Sequence, residues 1–322
     1  MDNYRVLGNT GLRVSPLCFG TMSFGGVADK VESERMFHTA LDHGINFFDC
    51  ADSYSKGTAE EILGGCIQGR REDLVLTTKG FNPTGEAAND RGLSRKHLIR
   101  ALDQSLDRLK TDYIDIYFLH NWDSATPIEE TLETLDYLKR QGKILHTGVS
   151  NWAAWQISKS LGISAQKNLA SFDVIQPMYN LVKRQAEVEL FPMAEAENLG
   201  VISYSPLGGG LLTGKYEDEK QTGRLKEQEL YTKRYRDAEY FDIARSFSAF
   251  AKEREWHPAT LAVAWAAKHS AVTAPIIGAR NVNQLQPSLD AMSFSLTDED
   301  YHAVRKLSIE PPIATDRSEV QG

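Results

Sequence analysis

Ile45-Asn46-Phe47-Phe48-Asp49-Cys50-Ala51-Asp52-Ser53-Tyr54 is the stretch on which the reading of this chain turns. Its apolar start, Ile45 to Phe48, follows the turn residues His43-Gly44 and predicts a short buried strand. That strand delivers Asp49 at its end and, five residues later, Tyr54. A carboxylate at the end of an apolar strand is costly to bury unless it is paired. A phenol is a weak proton donor at neutral pH unless a neighbouring cation lowers its pKa. One cation would serve both groups, and the rest of the chain is read for it.

Upstream, residues 4–16 predict a small hairpin around Gly8-Asn9-Thr10-Gly11. A strand, Leu17 to Phe19, then ends in Gly20-Thr21-Met22, and Glu32 to Asp42 carries Met36, Phe37, Ala40 and Leu41 at helical spacing. Downstream the alternation continues. A helix at about 58–68 precedes a β-branched strand, 74–78, with Lys79 at its end. A polar loop, 81–93, leads to a helix from Ser94 whose Leu98, Leu102, Leu106 and Leu109 form one stripe. The fourth strand, 113–119, ends at His120. Thr126-Pro127-Ile128-Glu129 then predicts a cap, a first-turn proline and a capping-box glutamate for a helix running to Gly142.

Strand five, 144–149, ends in Ser150-Asn151, which would also cap the helix expected over 152–161. Strand six, 172–175, ends at Gln176, and a helix to Leu199 leads into strand seven, 201–205. The charged stretch 217–239 reads as a solvated loop before helices at about 241–254 and 258–269. Strand eight, 275–277, is followed by Gly278-Ala279-Arg280 and a last pair of helices.

Strands this apolar call for a parallel sheet covered by helices. Eight strand–helix units close a barrel, so the expectation is an α/β fold: a single (β/α)8 TIM-barrel domain over residues 1–322, its bottom closed by the N-terminal hairpin. No G-x-G-x-x-G follows the first strand, as a Rossmann unit would require.

The composition bounds the function. With 41% hydrophobic and 25% charged residues the chain has the make-up of a soluble globular protein, and its formal net charge of −8 argues against nucleic acid as partner. Cys18, Cys50 and Cys66 have no zinc or C-x-x-C spacing, so no metal is expected and a reduced, cytoplasmic protein is. No run has the length of a membrane span.

In such barrels catalytic groups stand at the C-terminal ends of strands. Those ends here carry Asp49 with Tyr54, Lys79, His120, Ser150-Asn151, Gln176, Tyr204-Ser205 and Arg280. Lys79 is the cation sought: paired with Asp49, it would set a positive charge beside the Tyr54 hydroxyl and lower its pKa. His120 could orient or polarise a carbonyl at the same point.

This set resembles the aldo-keto reductase superfamily. The motifs run in order through most of the chain: Gly20-Thr21-Met22, Asp49 with Tyr54, Thr78-Lys79-Gly80, Leu119-His120-Asn121-Trp122-Asp123, Gly148-Val149-Ser150-Asn151, Gln176-Pro177-Met178-Tyr179-Asn180, Tyr204-Ser205-Pro206-Leu207 and Gly278-Ala279-Arg280. The resemblance implies an NADP(H)-dependent reduction of an aldehyde or ketone. Tyr54 would be the general acid, tuned by Lys79 and Asp49, with His120 orienting the substrate. Ser150, Asn151 and Gln176 would hold the nicotinamide carboxamide, and Tyr204 would stack on the ring. Gly20, Thr21, Met22, Ser205, Leu207, Gly209 and Lys215 would line the cofactor's path. Gly278, Arg280, Gln284 and Ser288 would meet its adenosine end, where a guanidinium suits a 2′-phosphate.

Three departures stand out. Cys50 replaces a small hydroxyl residue after the Asp, Ser288 replaces an Asn expected near the adenine, and the tail after Leu307 is short and polar. Phe24 and Trp122 follow strand ends and are expected in a small-molecule pocket. Gly209 to Lys215 nearly matches a P-loop, but Tyr216 stands where a magnesium-binding Ser or Thr would be. Two other readings compete. One is a cofactor-binding regulatory subunit of the same fold, and the other a barrel glycosidase using Asp49 and Asp123. Substrate and oligomeric state stay open.

Overall fold

A computed structural model describes residues 4–217 and 223–315. The predicted tail residues Asp316 and Glu319 lie outside it, as does part of the charged stretch after Glu217. Two short strands, β1 (Arg5–Val6) and β2 (Arg13–Val14), form the expected antiparallel hairpin.

Eight parallel strands follow: β3 (Cys18–Gly20), β4 (Phe47–Asp49), β5 (Val75–Gly80), β6 (Ile114–Leu119), β7 (Ile144–Ser150), β8 (Val174–Gln176), β9 (Gly200–Val201) and β10 (Ile276–Ile277). They pair in chain order from β3 to β9, with β10 beside β3. The ring is completed where Thr273 N donates to Val201 O at 2.9 Å and Ile276 N to Ser203 O at 2.7 Å. This is the expected (β/α)8 barrel.

Because strand side chains alternate, every second residue enters the barrel. Cys18, Phe47, Val75, Ile116, Phe118, Val174, Ile202 and Ala274 form one buried cluster there, joined by Leu7, Leu12 and Val14 of the hairpin, which plugs its N-terminal end. Gly148 makes room for Phe118, since a Cβ on it would lie 2.4 Å from Phe118 Cε1. The intervening residues, among them Phe48, Leu76, Tyr117, Val149 and Ile175, pack against the surrounding helices.

The helices are α1 (Lys30–Asp42), α2 (Thr58–Cys66), α3 (Arg95–Leu109), α4 (Ile128–Arg140), α5 (Ala154–Lys167), α6 (Leu190–Ala196), α7 (Arg224–Glu227), α8 (Glu229–Arg234), α9 (Ala238–Glu253), α10 (Pro258–Lys268), α11 (Val282–Leu289) and α12 (Asp298–Arg305). Asp29 and Ser94 cap α1 and α3 through their side chains, as such residues do.

Four local expectations fail for identifiable reasons. Thr126 does not cap α4: its hydroxyl donates to Asp123 at 2.7 Å, and Pro127 takes the cap position. Ser150-Asn151 does not cap α5, which starts at Ala154 with Gln156 Oε1 accepting from Ala153 N. Strand seven shrinks to β9 because the chain turns into the left-handed region at Ser205 (φ 60°), although Ile202 and Tyr204 still bond to the β8 side. The charged stretch contains the short helices α7 and α8.

Candidate active site

The alternation that fills the barrel also builds its mouth. Two residues beyond Phe47, Thr77, Phe118, Gly148 and Val174 stand Asp49, Lys79, His120, Ser150 and Gln176. Tyr54 reaches the same place from a tight turn whose Ser55 and Lys56 both have positive φ. Asn151, Ser205 and Phe81 are also held at positive φ beside the mouth. Such strain collects where the surrounding structure fixes a functional geometry.

Lys79 is fully buried. Its Nζ donates to Asp49 Oδ2 at 2.7 Å, to the Cys50 carbonyl at 2.6 Å and to Tyr54 OH at 3.2 Å. Burial works against its charge, but Asp49 and then Tyr54 outweigh that cost and hold the ammonium above its usual range. Asp49 Oδ1 accepts from Thr77 at 2.6 Å and from Gln176 Nε2 at 2.9 Å. The carboxylate is therefore fixed from three sides, and it fixes Lys79 in turn.

The Tyr54 phenol departs from expectation. Burial pushes its pKa above the usual range, and the pull of Lys79 does not overcome that. The hydroxyl thus carries its proton at neutral pH. His120 lies 6.0 Å from the Tyr54 ring, centroid to centroid. Burial and then Lys79 pull its pKa down to about 3, so the imidazole is neutral. Asn82 Nδ2 sits 3.0 Å from His120 Nδ1 and 3.2 Å from Ser53 Oγ. With an amide nitrogen facing Nδ1, the His proton is assigned to Nε2.

Next to this set, Tyr204 OH donates to Asn151 Oδ1 at 2.7 Å, and Asn151 Nδ2 to His120 O at 2.9 Å and Ser150 Oγ at 3.1 Å. Ser150 Oγ also bonds Gln176 Oε1 at 3.2 Å. After these bonds Gln176 keeps one N–H, and the Gln176 and Asn151 carbonyls each keep a lone pair. A donor with adjacent acceptors matches a carboxamide, so the residues present fit a nicotinamide.

Farther along, Gly208, Gly209 and Gly210 have φ of 58°, 68° and 93°, which only glycine adopts without strain. Lys215 lies near them, over the Tyr216 ring. Leu207 is partly buried against the core. Arg280 is ion-paired with Glu227 of α7, and its backbone N–H faces Gln284 Oε1 at 3.4 Å. Gly278 packs close to the Gly20 carbonyl.

Several residues stand elsewhere than expected. Phe24 is fully buried, with its ring 5.8 Å from that of Phe19, so it is packing and not a pocket wall. Ser288 is buried in α11, with no hydrogen-bond partner for its hydroxyl among the described residues and no face for an adenine. Thr21 is buried and its hydroxyl is spent on the Asp49 carbonyl at 3.0 Å; of Gly20-Thr21-Met22, only Met22 is exposed. Burial pushes the Cys50 thiol well up, and it is this residue's carbonyl that serves the site. Trp122 does stand by the mouth, against Trp152 at 4.7 Å and the exposed Trp155 at 5.9 Å. Asp123 is spent on Leu93 N, Ala125 N and Thr126. With Asp49 equally committed, the Asp49–Asp123 pair does not support glycoside hydrolysis.

Sequence reasoning missed Thr77, Asn82 and Trp155. Thr77 had a signal, since it lies two residues before Lys79 on an inward-facing row. Asn82 had none, being one polar residue in a polar loop.

The profile of the Aldo/keto reductase family matches residues 16–309. The chain is 39% identical over 308 residues to the uncharacterized oxidoreductase YrpG of Bacillus subtilis (strain 168), covering 92% of this chain and 93% of that protein. It is 37% identical over 298 residues to a probable voltage-gated potassium channel subunit beta of Arabidopsis thaliana, with 90% of each chain covered. A protein of the same description from Oryza sativa subsp. japonica is 35% identical over 298 residues, again with 90% of each covered. Among the described residues no helix is long and apolar enough to cross a membrane. With its barrel, its ordered strand-end residues and this match over nearly its whole length, the chain belongs to the aldo/keto reductase family.

Proposed function

We propose that the protein is an NADP(H)-dependent oxidoreductase that reduces a small aldehyde or ketone, with Tyr54 as general acid. One observation carries this reading: the buried ammonium of Lys79 touches both Asp49 and the Tyr54 hydroxyl at the barrel mouth. A nicotinamide held by Ser150, Asn151 and Gln176 would supply the hydride. The protein's own residues do the rest. Tyr54, protonated at neutral pH, donates its proton to the carbonyl oxygen as negative charge develops there. Lys79, 3.2 Å away, stabilises the phenolate left behind, and Asp49 keeps Lys79 in place. Neutral His120 donates from Nε2 and orients the carbonyl oxygen without adding a charge that would oppose Lys79. Tyr204, its hydroxyl tied to Asn151, offers a fixed ring for the nicotinamide to stack on. Arg280 suits a 2′-phosphate, which would replace Glu227 as its partner.

The test follows NADPH oxidation with a panel of aromatic aldehydes, methylglyoxal and sugars, comparing wild type with Tyr54→Phe. Turnover should fall by roughly 10²–10⁴-fold on losing the hydroxyl, with NADPH binding kept. Unchanged turnover in the variant would refute the assignment of the proton donor. Absence of NADPH binding to the wild type would refute the cofactor. A second reading draws on the two plant relatives described as probable potassium channel β subunits. NADPH binding without reduction of any carbonyl by either protein would favour a cofactor-binding regulatory subunit.

A further inference from the structure

Asn151, Gln176 and Tyr204 also border a cavity of about 680 Å³, a volume typical of small-ligand sites. Asp49, Tyr54, Lys79 and His120 do not line it. Strand alternation tells which way it runs. Gly148 and Val174 face the barrel interior, as Phe118 against Gly148 and the interior cluster show. Val149 and Ile175 therefore face outward, and both lie on the cavity floor with Ile157 of α5. The space extends outside the barrel wall, toward α5 and α6, away from the Lys79–Tyr54 pair.

Its rim is basic and partly apolar. Lys183, Lys233, Arg234 and Arg236 line it against one carboxylate, Asp237, in a chain whose formal net charge is −8. Leu230, 62% exposed, lines it too. Lys233 is balanced by Glu229 at 2.6 Å, Lys183 donates to Tyr240, and Arg236 has Asp237 at 3.9 Å. Arg234 is half-buried over the Tyr231 ring at 5.3 Å, and no carboxylate among the described residues pairs with it. A guanidinium held at an apolar cavity, with no carboxylate partner among the described residues, favours an anion.

We propose that this cavity is a second ligand site, which takes an amphipathic carboxylate with its apolar body on the Val149–Ile157–Ile175 floor and its charge on Arg234. Because Asn151, Gln176 and Tyr204 belong to both sites, occupancy of one alters affinity at the other, and by reciprocity the factor is the same in both directions. That coupling rests on the function proposed above; the binding itself does not.

Calorimetry on the full chain without cofactor tests the site, using 1-naphthaleneacetate and octanoate as probes and 1-naphthaleneacetamide as the neutral control. Both acids should bind, with the amide at least tenfold weaker than its acid. Arg234→Gln should weaken the acids at least tenfold and leave the amide unchanged, while Arg234→Lys restores part of the loss. Failure of both acids to bind, equal affinity of acid and amide, or indifference to Arg234→Gln would overturn the proposal. So would competition between naphthaleneacetate and the carbonyl substrate at saturating NADPH, which would assign the acid to the Tyr54 pocket. NADPH binding, measured separately, reports on the proposed function alone.

Discussion

On the function proposed above, Lys79 serves stability and chemistry together, and the two can be separated. It is fully buried and bonded to a carboxylate, a carbonyl and a phenol. Removing one member of a buried ion pair leaves the other charge uncompensated and costs about 3–5 kcal/mol. Lys79→Met should therefore lower stability by about that amount and abolish the carbonyl reduction proposed above. Adding Asp49→Asn removes the orphaned charge while keeping an amide for Thr77 and Gln176 to meet. Denaturant unfolding of the double variant should recover most of the lost stability, and its turnover should stay absent. Recovered turnover would mean that the ammonium is not needed beside Tyr54. Strand ends read from the sequence pointed to Asp49, Lys79 and His120, with Tyr54 five residues after Asp49. What it could not give was the balance between burial and charge at Tyr54. Alternation says which side chains meet and nothing of how much water they lose.

At the scale of elements, eight apolar strands separated by helical stripes made the barrel legible. The departures come from side chains whose bonding partners lie far away in sequence or in unpatterned loops. Thr126 reads as a cap until Asp123 takes its hydroxyl, and Ser288 reads as a ligand until α11 turns it inward. The contact between α2 and α3 is of this kind as well. Gly64 stands in mid-helix, where glycine weakens α2, yet a Cβ there would lie 2.4 Å from Arg108 O and 2.8 Å from Leu109 Cα. The neighbour is backbone and cannot swing aside. This contact lets Arg108 Nε reach the buried Glu60 at 2.7 Å, whose other oxygen takes the Thr78 hydroxyl at 2.5 Å, one residue from Lys79. Gly64→Ala should thus destabilise the protein by about 1–3 kcal/mol through overpacking, despite the better helix propensity of alanine. A rise in thermal midpoint would show that α2 can move away freely.

For the whole molecule, buried titratable groups near the mouth set how stability follows pH. The His120 pKa falls to about 3, so between there and its ordinary value near 6.5 the unfolded chain binds a proton that the folded one refuses. Stability therefore rises with pH across that window. His97 and His269, also lowered by burial, act in the same direction. Asp52 opposes them. Both its oxygens are buried without a hydrogen-bond partner among the described residues. Burial and then Glu60 push its pKa from 3.8 up to about 8. From pH 3.8 to about 8 the folded protein keeps a proton that the unfolded chain has released, so stability falls with rising pH, by at most about 1.4 kcal/mol per unit. Below pH 6.5 the histidine and Asp52 slopes have opposite signs; above it the histidines no longer contribute and the falling slope of Asp52 continues. The wild type should lose stability between pH 6.5 and 8, and Asp52→Asn, with nothing to titrate, should not. Thermal midpoints measured at half-unit steps from pH 5 to 9 decide the matter. Parallel profiles for the two proteins would mean that Asp52 ionises in the folded state, with Arg108 or Lys79 compensating it inside the barrel wall.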